Sequence, residues 1–176
     1  LFSVVFQDIY LLPVSIAEFV SSSENKIDRE RVMAVIEQAG LAEKINSLPN
    51  GIDSRLMKGV FDDSIEMSGG EKQKLMLARA LYKDAPVIVL DEPTAALDPI
   101  AENELYLKYN DLTKNKTSVY ISHRLSSTRF CDRIIYLENG EIIEFGTHDE
   151  LMKLGGKYAH MFDLQSHYYR RNLKDE

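Results

Sequence analysis

Two adjacent carboxylates follow an apolar run near the middle of the chain. Val87 to Leu90 are all apolar, and Asp91 and Glu92 come directly after them. Such a run is typical of a parallel strand covered on both faces, and ligands of open α/β sheets bind beyond the carboxyl ends of the strands. A solvated strand end is the simple interpretation. The alternative is a magnesium–phosphate site, in which Asp91 would hold Mg²⁺ through water and Glu92 would take a proton from an attacking water.

A second candidate is a pair of glycines at a predicted helix start. Ser68, Gly69, Gly70 and Glu71 precede a helical run that extends from Lys72 to Lys83. Glycines at this position let backbone N–H groups approach a ligand closely, and the helix dipole favours an anion. The same residues also fit a plain capping box. Local sequence leaves both interpretations open, and the acidic pair beyond the helix favours the anion site.

Strands and helices are predicted around these features in an order that indicates an α/β layer with right-handed crossovers. Residues from about 12 to 82 are predicted to be mostly helical. The predicted strands are Leu1–Phe6, Val87–Leu90, Thr117–Ser122, and a hairpin of Arg133–Leu137 and Glu141–Phe145 joined through Asn139-Gly140. N-cap signals stand at Ser15, Asp28, Ser68, Asp98 and Thr147. A short helix near 125–130 and a last helix over 157–170 complete the pattern.

Composition narrows the class of protein. The chain has 176 residues, a formal net charge of −7 and 44% hydrophobic residues, as a globular protein does. The negative balance argues against nucleic acid as the main partner, because phosphate binding needs a basic face. One cysteine cannot form an internal disulfide or a multi-cysteine zinc site. No apolar run approaches the roughly 20 residues that span a bilayer, and the start at Leu1 suggests a piece of a longer protein.

Together, these motifs resemble the nucleotide-binding domain of ATP-binding cassette (ABC) transporters. The resemblance covers essentially the whole chain, and the tail is most similar to that of exporters. The matching segments are the glutamine loop (Phe6–Asp8), the helix-start motif (Met67–Glu71), Walker B with the D-loop (Leu90–Asp98), the switch-histidine loop (Ile121–Arg124) and the domain's usual ending (Gly140–His148).

The resemblance implies an ATPase with ATP and Mg²⁺ as substrate and cofactor. Asp91 would position Mg²⁺, and Gln7 would touch the metal and the γ-phosphate region. Glu92 would be the general base, and His123 would hydrogen-bond the γ-phosphate and support the attacking water. Catalysis in this class is mostly positioning and charge stabilisation.

The resemblance also implies a second nucleotide-binding domain, identical or related, as partner. Ser68, Gly69 and Gly70 would bind the γ-phosphate of an ATP held by that domain, and Asp98 would lie at the interface. A transmembrane domain of the same transporter would be the other partner, and the parent protein would work at the cytoplasmic face of the membrane.

Two departures from the family pattern stand out. The helix-start motif usually begins with Leu and ends with Gln, whereas this chain has Met67 and Glu71. No glycine opens a Gly-x-x-x-x-Gly-Lys-Ser/Thr phosphate loop. The implied fold is therefore a RecA-like P-loop NTPase core, mainly a parallel sheet with an inserted helical subdomain, truncated at its N-terminus.

The predicted function is the partial ATP-hydrolysing domain of an exporter, with the chain alone inactive for lack of the phosphate loop. Its predicted parts are a core strand with the glutamine loop (1–11), a helical subdomain (12–82) and the rest of the core (83–176). One alternative is a non-catalytic interaction module that kept the fold, although such a module could lose Glu92 and His123. Another is a DNA-repair or chromosome ATPase, which the short spacing between Gln7 and Ser68 disfavours.

Overall fold

The computed structural model describes residues 1–23, 25–59, 61–92 and 107–172 of the chain. Contacts divide the chain into two units, Leu1–Ile121 and Ser122–Glu176, each of which is described by itself. Within the described ranges, no helix combines the length and the hydropathy needed to cross a membrane. The division into three parts at residues 11 and 82 stays a prediction.

Three parallel strands form the sheet of the first unit. Strands β1 (Phe2–Val5), β2 (Val87–Asp91) and β3 (Thr117–Ile121) lie in the order β1-β2-β3. Ile88 and Leu90 of β2 are buried, whereas Val87 and Val89 on the opposite face are partly exposed. The predicted strands and their parallel direction are confirmed, but the described residues cover β2 fully on one face only.

The helices described in the first unit are α1 (Ile16–Ser21), α2 (Arg29–Ala39), α3 (Ala42–Asn46), a 3₁₀ turn (Gly51–Asp53), α4 (Gly69–Lys83) and the described part of α5 (107–113). Ser15, Asp28 and Ser68, whose residue types favour caps, are the N-caps of α1, α2 and α4. Asp28 caps α2 by accepting a hydrogen bond from the Arg31 N–H at 3.0 Å. Gly40 ends α2 with a φ of 75°, a left-handed conformation that glycine adopts without steric cost.

Helix α4 joins the helical part of the first unit to its sheet. It packs on α1, on α2 and on β1, and its side chains Leu75 and Leu77 are fully buried in the hydrophobic cluster that also contains Phe19 and Ile36. The buried Ser3 hydroxyl of β1 donates to the Ala80 carbonyl of α4 at 3.0 Å. The helix is therefore anchored by apolar burial and by one buried hydrogen bond.

The second unit contains a hairpin and two helices. Its elements are a 3₁₀ helix (Leu125–Phe130), β4 (Ile134–Glu138), β5 (Glu141–Gly146), α6 (His148–Leu154) and α7 (Lys157–Asn172). Asn139 and Gly140 both have positive φ, at 50° and 81°, as a two-residue type I′ hairpin turn requires. The hairpin and both helices are confirmed, whereas the segment near 125–130 is a tighter 3₁₀ helix.

The capping box of α1 gives the unit a pH-dependent contribution to stability. The hydroxyl and the backbone N–H of Ser15 both donate to the Glu18 carboxylate, which lowers the pKa of Glu18 below its ordinary value. Folding therefore favours the ionised form, so this contribution is present above the ordinary carboxyl pKa and is lost as pH falls through the lowered value.

We expect the Glu18→Gln variant to have a lower free energy of unfolding near neutral pH but a shallower fall between about pH 5 and pH 3. Urea unfolding at several pH values measures both quantities. Identical pH slopes for the variant and the wild type would contradict the assignment.

Candidate functional site

Gln7 and Asp91 lie at the same edge of the sheet. Val5 of β1 pairs with Leu90 of β2, so Gln7 follows the end of β1 where Asp91 ends β2. The Gln7 side chain is exposed, and Asp91 is partly exposed. Because both strands run in the same direction, this is the edge at which ligands of parallel sheets bind.

Glu92 has an unusual backbone conformation for its residue type. Its φ is 42°, which is in the left-handed region, and its N–H donates to the Ile121 carbonyl of β3 at 2.9 Å. A left-handed residue other than glycine costs roughly 1–2 kcal/mol, and such strain concentrates at functional sites. The hydrogen bond to β3 fixes the peptide that carries this strain, so the Glu92 side chain leaves the sheet edge from a defined backbone.

Oxygen donors dominate at this edge. Asp91 offers a carboxylate and Gln7 an amide carbonyl, and these hard donors suit Mg²⁺, which binds through one or two carboxylates, several waters and substrate phosphates. The described residues contain no group of three or more His, Cys, Asp or Glu side chains that could hold a metal on their own. This donor set therefore fits a magnesium ion that is shared with a phosphate ligand.

The start of α4 is a complete capping box. The Ser68 N–H donates to Glu71 Oε2 at 2.7 Å, and the Glu71 N–H donates to Ser68 Oγ at 3.3 Å. The Ser68 N–H is the main reason that the pKa of Glu71 lies below its ordinary value, and Lys44 Nζ, at 3.5 Å, also contributes. The capping interpretation of this motif is therefore seen in the structure.

The same helix start also leaves room for a ligand. Apart from the backbone of α4 itself and the adjacent residues, a Cβ atom added at Gly69 or at Gly70 would meet none of the described residues within 4 Å. Neither glycine has a positive φ. Packing and backbone conformation within the described chain therefore do not require glycine at either position, which leaves close approach by another molecule as a reason for it.

His123 is an exposed residue and the second residue of the second unit. The hydroxyl of the preceding Ser122 accepts a hydrogen bond from the Arg124 N–H at 2.9 Å, and the His123 carbonyl accepts one from Gln165 of α7 at 2.7 Å. Asp98, the remaining candidate, lies outside the described residues. The sequence motifs gave no role to Gln165, because its contact joins residues that are distant along the chain.

Comparison with known proteins identifies the family. A family model described as ABC transporter matches residues 2–95. The ATP-dependent lipid A-core flippase of Burkholderia orbicola is 42% identical over 93% of this chain and 27% of the flippase. The flippase of the same name from Ralstonia nicotianae is 39% identical over 92% of this chain and 27% of its own length. A solved bacterial Atm1-family ABC exporter with ATP bound gives a TM-score of 0.80 at 32% identity, over 94% of this chain and 28% of the exporter.

The parallel sheet, its acidic edge and the capped α4 thus define the fold of a P-loop ATPase of the ABC type. The chain belongs to the ABC transporter family. It spans about 27% of the length of the curated relatives that it matches. The predictions of the family and of the fold class are confirmed.

Proposed function

We propose that this chain is part of the ATP-hydrolysing domain of an exporter, in which ATP hydrolysis drives transport across a membrane. The observation that supports this most directly is Glu92, a strained carboxylate residue that comes directly after Asp91 at the ligand edge of a parallel sheet. A general base must be held firmly beside the water that it activates, and a fixed backbone helps to achieve this.

In this mechanism, the residues of the sheet edge prepare the attack of water on the γ-phosphate. Asp91 and Gln7 would hold Mg²⁺, which supplies neutralisation of phosphate charge when bound. Glu92 accepts a proton from the attacking water at its carboxylate oxygen. His123 donates a hydrogen bond to the γ-phosphate and so stabilises the charge that develops there.

The start of α4 would serve an ATP molecule held by a second nucleotide-binding domain. The Ser68 hydroxyl accepts the Glu71 N–H in the capping box and interacts with the Glu71 carboxylate, and its proton would turn to a phosphate oxygen when nucleotide is bound. The N–H groups of Gly69 and Gly70 belong to the first turn, where helices bind anions. Asp98 would lie at the interface with that second domain.

A cleft supports the proposal of a transmembrane partner. It has a volume of about 410 Å³ and is lined by residues of the segment after Gln7 and of the segment before α4, among them Tyr10, Met57 and Met67. Tyr10 is 81% exposed, a high value for an aromatic side chain. A helix from the transmembrane domain, at the cytoplasmic face of the membrane, would cover this cleft and its exposed aromatic side chain.

The chain by itself should hydrolyse ATP at a negligible rate. Its sequence contains no Gly-x-x-x-x-Gly-Lys-Ser/Thr loop, so the backbone cradle and the lysine for the β- and γ-phosphates must come from elsewhere. Activity in the parent protein therefore depends on residues other than these 176.

Two equivalent capping serines separate the nucleotide role of Ser68 from its structural role. Ser68 and Ser15 both complete capping boxes, so each Ser→Ala change should lower the free energy of unfolding by about 1 kcal/mol. We expect only Ser68→Ala to reduce ATP hydrolysis by the full-length transporter, by roughly 10-fold, because only that hydroxyl would meet a phosphate. Equal activities of the two variants in a steady-state ATPase assay would overturn the role of Ser68.

A further inference from the structure

Gln165 makes two hydrogen bonds to the backbone on either side of Arg124. The Leu125 N–H donates to Gln165 Oε1 at 2.9 Å, and Gln165 Nε2 donates to the His123 carbonyl at 2.7 Å. Gln165 stands on α7, about 40 residues later in the chain, so these bonds are tertiary contacts. One amide group thus holds both ends of the short segment that carries His123.

Gln165 lies on the side of α7 that packs against the rest of the second unit. Tyr158, Phe162 and Gln165 are spaced so that they lie on one side of the helix. The fully buried Tyr158 places its hydroxyl 2.6 Å from Thr128 Oγ1, and the Thr128 hydroxyl donates to the Leu125 carbonyl at 2.6 Å. Leu125 is therefore held through its N–H by Gln165 and through its carbonyl by a chain that leads back to Tyr158.

Hydrogen bonds within the same segment also hold its backbone. The Ser122 hydroxyl accepts from the Arg124 N–H at 2.9 Å and donates to the Arg124 carbonyl at 3.2 Å. With Gln165 on the other side, backbone groups of three successive residues, His123 to Leu125, have defined partners. His123 is an exposed residue on this fixed backbone.

We propose that Gln165 is a positioning residue for His123. It fixes the backbone of His123 and Leu125, and thereby the direction in which the His123 imidazole meets the γ-phosphate. The inference rests on the proposed function for its catalytic consequence, whereas the backbone contacts can be tested without ATP.

The chemistry of the side chain makes the proposal specific. An amide of this length both accepts from the Leu125 N–H and donates to the His123 carbonyl. Glutamate could accept but, when ionised, could not donate, and it would face the carbonyl oxygen with like charge. Methionine has similar length and neither function. The expected order of activity is therefore Gln, then Glu, then Met.

The activity test uses the full-length transporter. We expect Gln165→Met to lower kcat for ATP hydrolysis about 10-fold, because a misplaced catalytic group loses rate steeply with distance, and to leave KM within about twofold. Gln38→Met is the matched control, since Gln38 is an exposed helical glutamine of α2, and it should keep the wild-type rate.

A double-variant test separates positioning from general destabilisation. If Gln165 acts through His123, Gln165→Met should cause no further loss of kcat in a His123→Ala background. An equal fold-loss in both backgrounds, or a kcat of Gln165→Met within twofold of the wild type, would overturn the proposal.

Hydrogen exchange tests the contact itself on the same protein. We expect Gln165→Met and Gln165→Met/His123→Ala to speed exchange of the Leu125 amide at least several-fold, while the Leu151 amide, which donates to the Thr147 carbonyl, keeps its rate. Unchanged Leu125 exchange in both variants would overturn the inference. If wild-type hydrolysis is absent altogether, the proposed function fails, and the exchange result still decides whether Gln165 holds this segment.

Discussion

Replacing Glu92 with glutamine in the full-length transporter is expected to lower kcat for ATP hydrolysis by about 10²–10⁴, the usual contribution of a positioned general base. Glutamine has nearly the shape of glutamate but cannot take the proton of the attacking water. The left-handed backbone of Glu92 and its bond to Ile121 do not depend on the carboxylate, so the variant should fold as the wild type does. Steady-state ATPase assays at saturating ATP measure the effect.

Two comparisons make this result decisive. Glu37→Gln changes an exposed glutamate on α2 in the same way and should leave the rate within about twofold. The 176-residue chain alone, with or without Glu92→Gln, should show negligible turnover. Wild-type activity in the full-length Glu92→Gln variant would rule out Glu92 as the base, and strong Glu92-dependent turnover by the chain alone would refute its need for a phosphate loop.

Replacing Gly70 with alanine is expected to abolish most ATP hydrolysis without weakening the fold. Apart from the adjacent backbone of α4, the added Cβ would meet none of the residues that the structure describes within 4 Å, and in a helix alanine is favoured over glycine by roughly 0.5–1 kcal/mol. The free energy of unfolding should therefore stay constant or rise. Activity should fall by about 100-fold, since the added methyl group would occupy the space through which a phosphate approaches the first-turn N–H groups.

Gly140→Ala provides the opposite pattern. Gly140 lies in the hairpin turn with a φ of 81°, so alanine there should cost about 1 kcal/mol of unfolding free energy while ATP hydrolysis per folded molecule persists. Thermal or urea unfolding and the ATPase assay are measured on both variants. Full activity in Gly70→Ala would mean that no ligand approaches this end of α4.

Local signals explain which parts of the fold could be predicted. The capping boxes at Ser15, Ser68 and Thr147 each involve four consecutive residues, and the Asn139-Gly140 turn determines its own hairpin. Neighbouring residues are therefore enough to predict these features. The sequence predicts a short helix near residues 125–130, and the structure has a 3₁₀ helix there, a difference in hydrogen-bond spacing that the apolar pattern does not reveal.

Features that arise from tertiary contacts could not be predicted in this way. Residue type alone gives no sign that Glu92 adopts a left-handed backbone, because β3 supplies the bond that holds it there. Gln165 occupies an ordinary helical position in the sequence. Only the tertiary structure shows that its amide hydrogen-bonds the backbone of the segment after Ser122. The candidate residues were found because their motifs are local, whereas the residues that support them come from remote parts of the chain.

The glutamate that caps α4 also carries a charge with electrostatic consequences. Because its pKa lies below the ordinary value, Glu71 stays ionised at neutral pH, and it stands in the first turn where an anion would bind. The negative charge opposes part of the dipole's attraction for phosphate, and Lys44 at 3.5 Å offsets some of this repulsion. A phosphate bound at this helix end, as proposed for the nucleotide of a second domain, would therefore be held less tightly than at an uncharged cap.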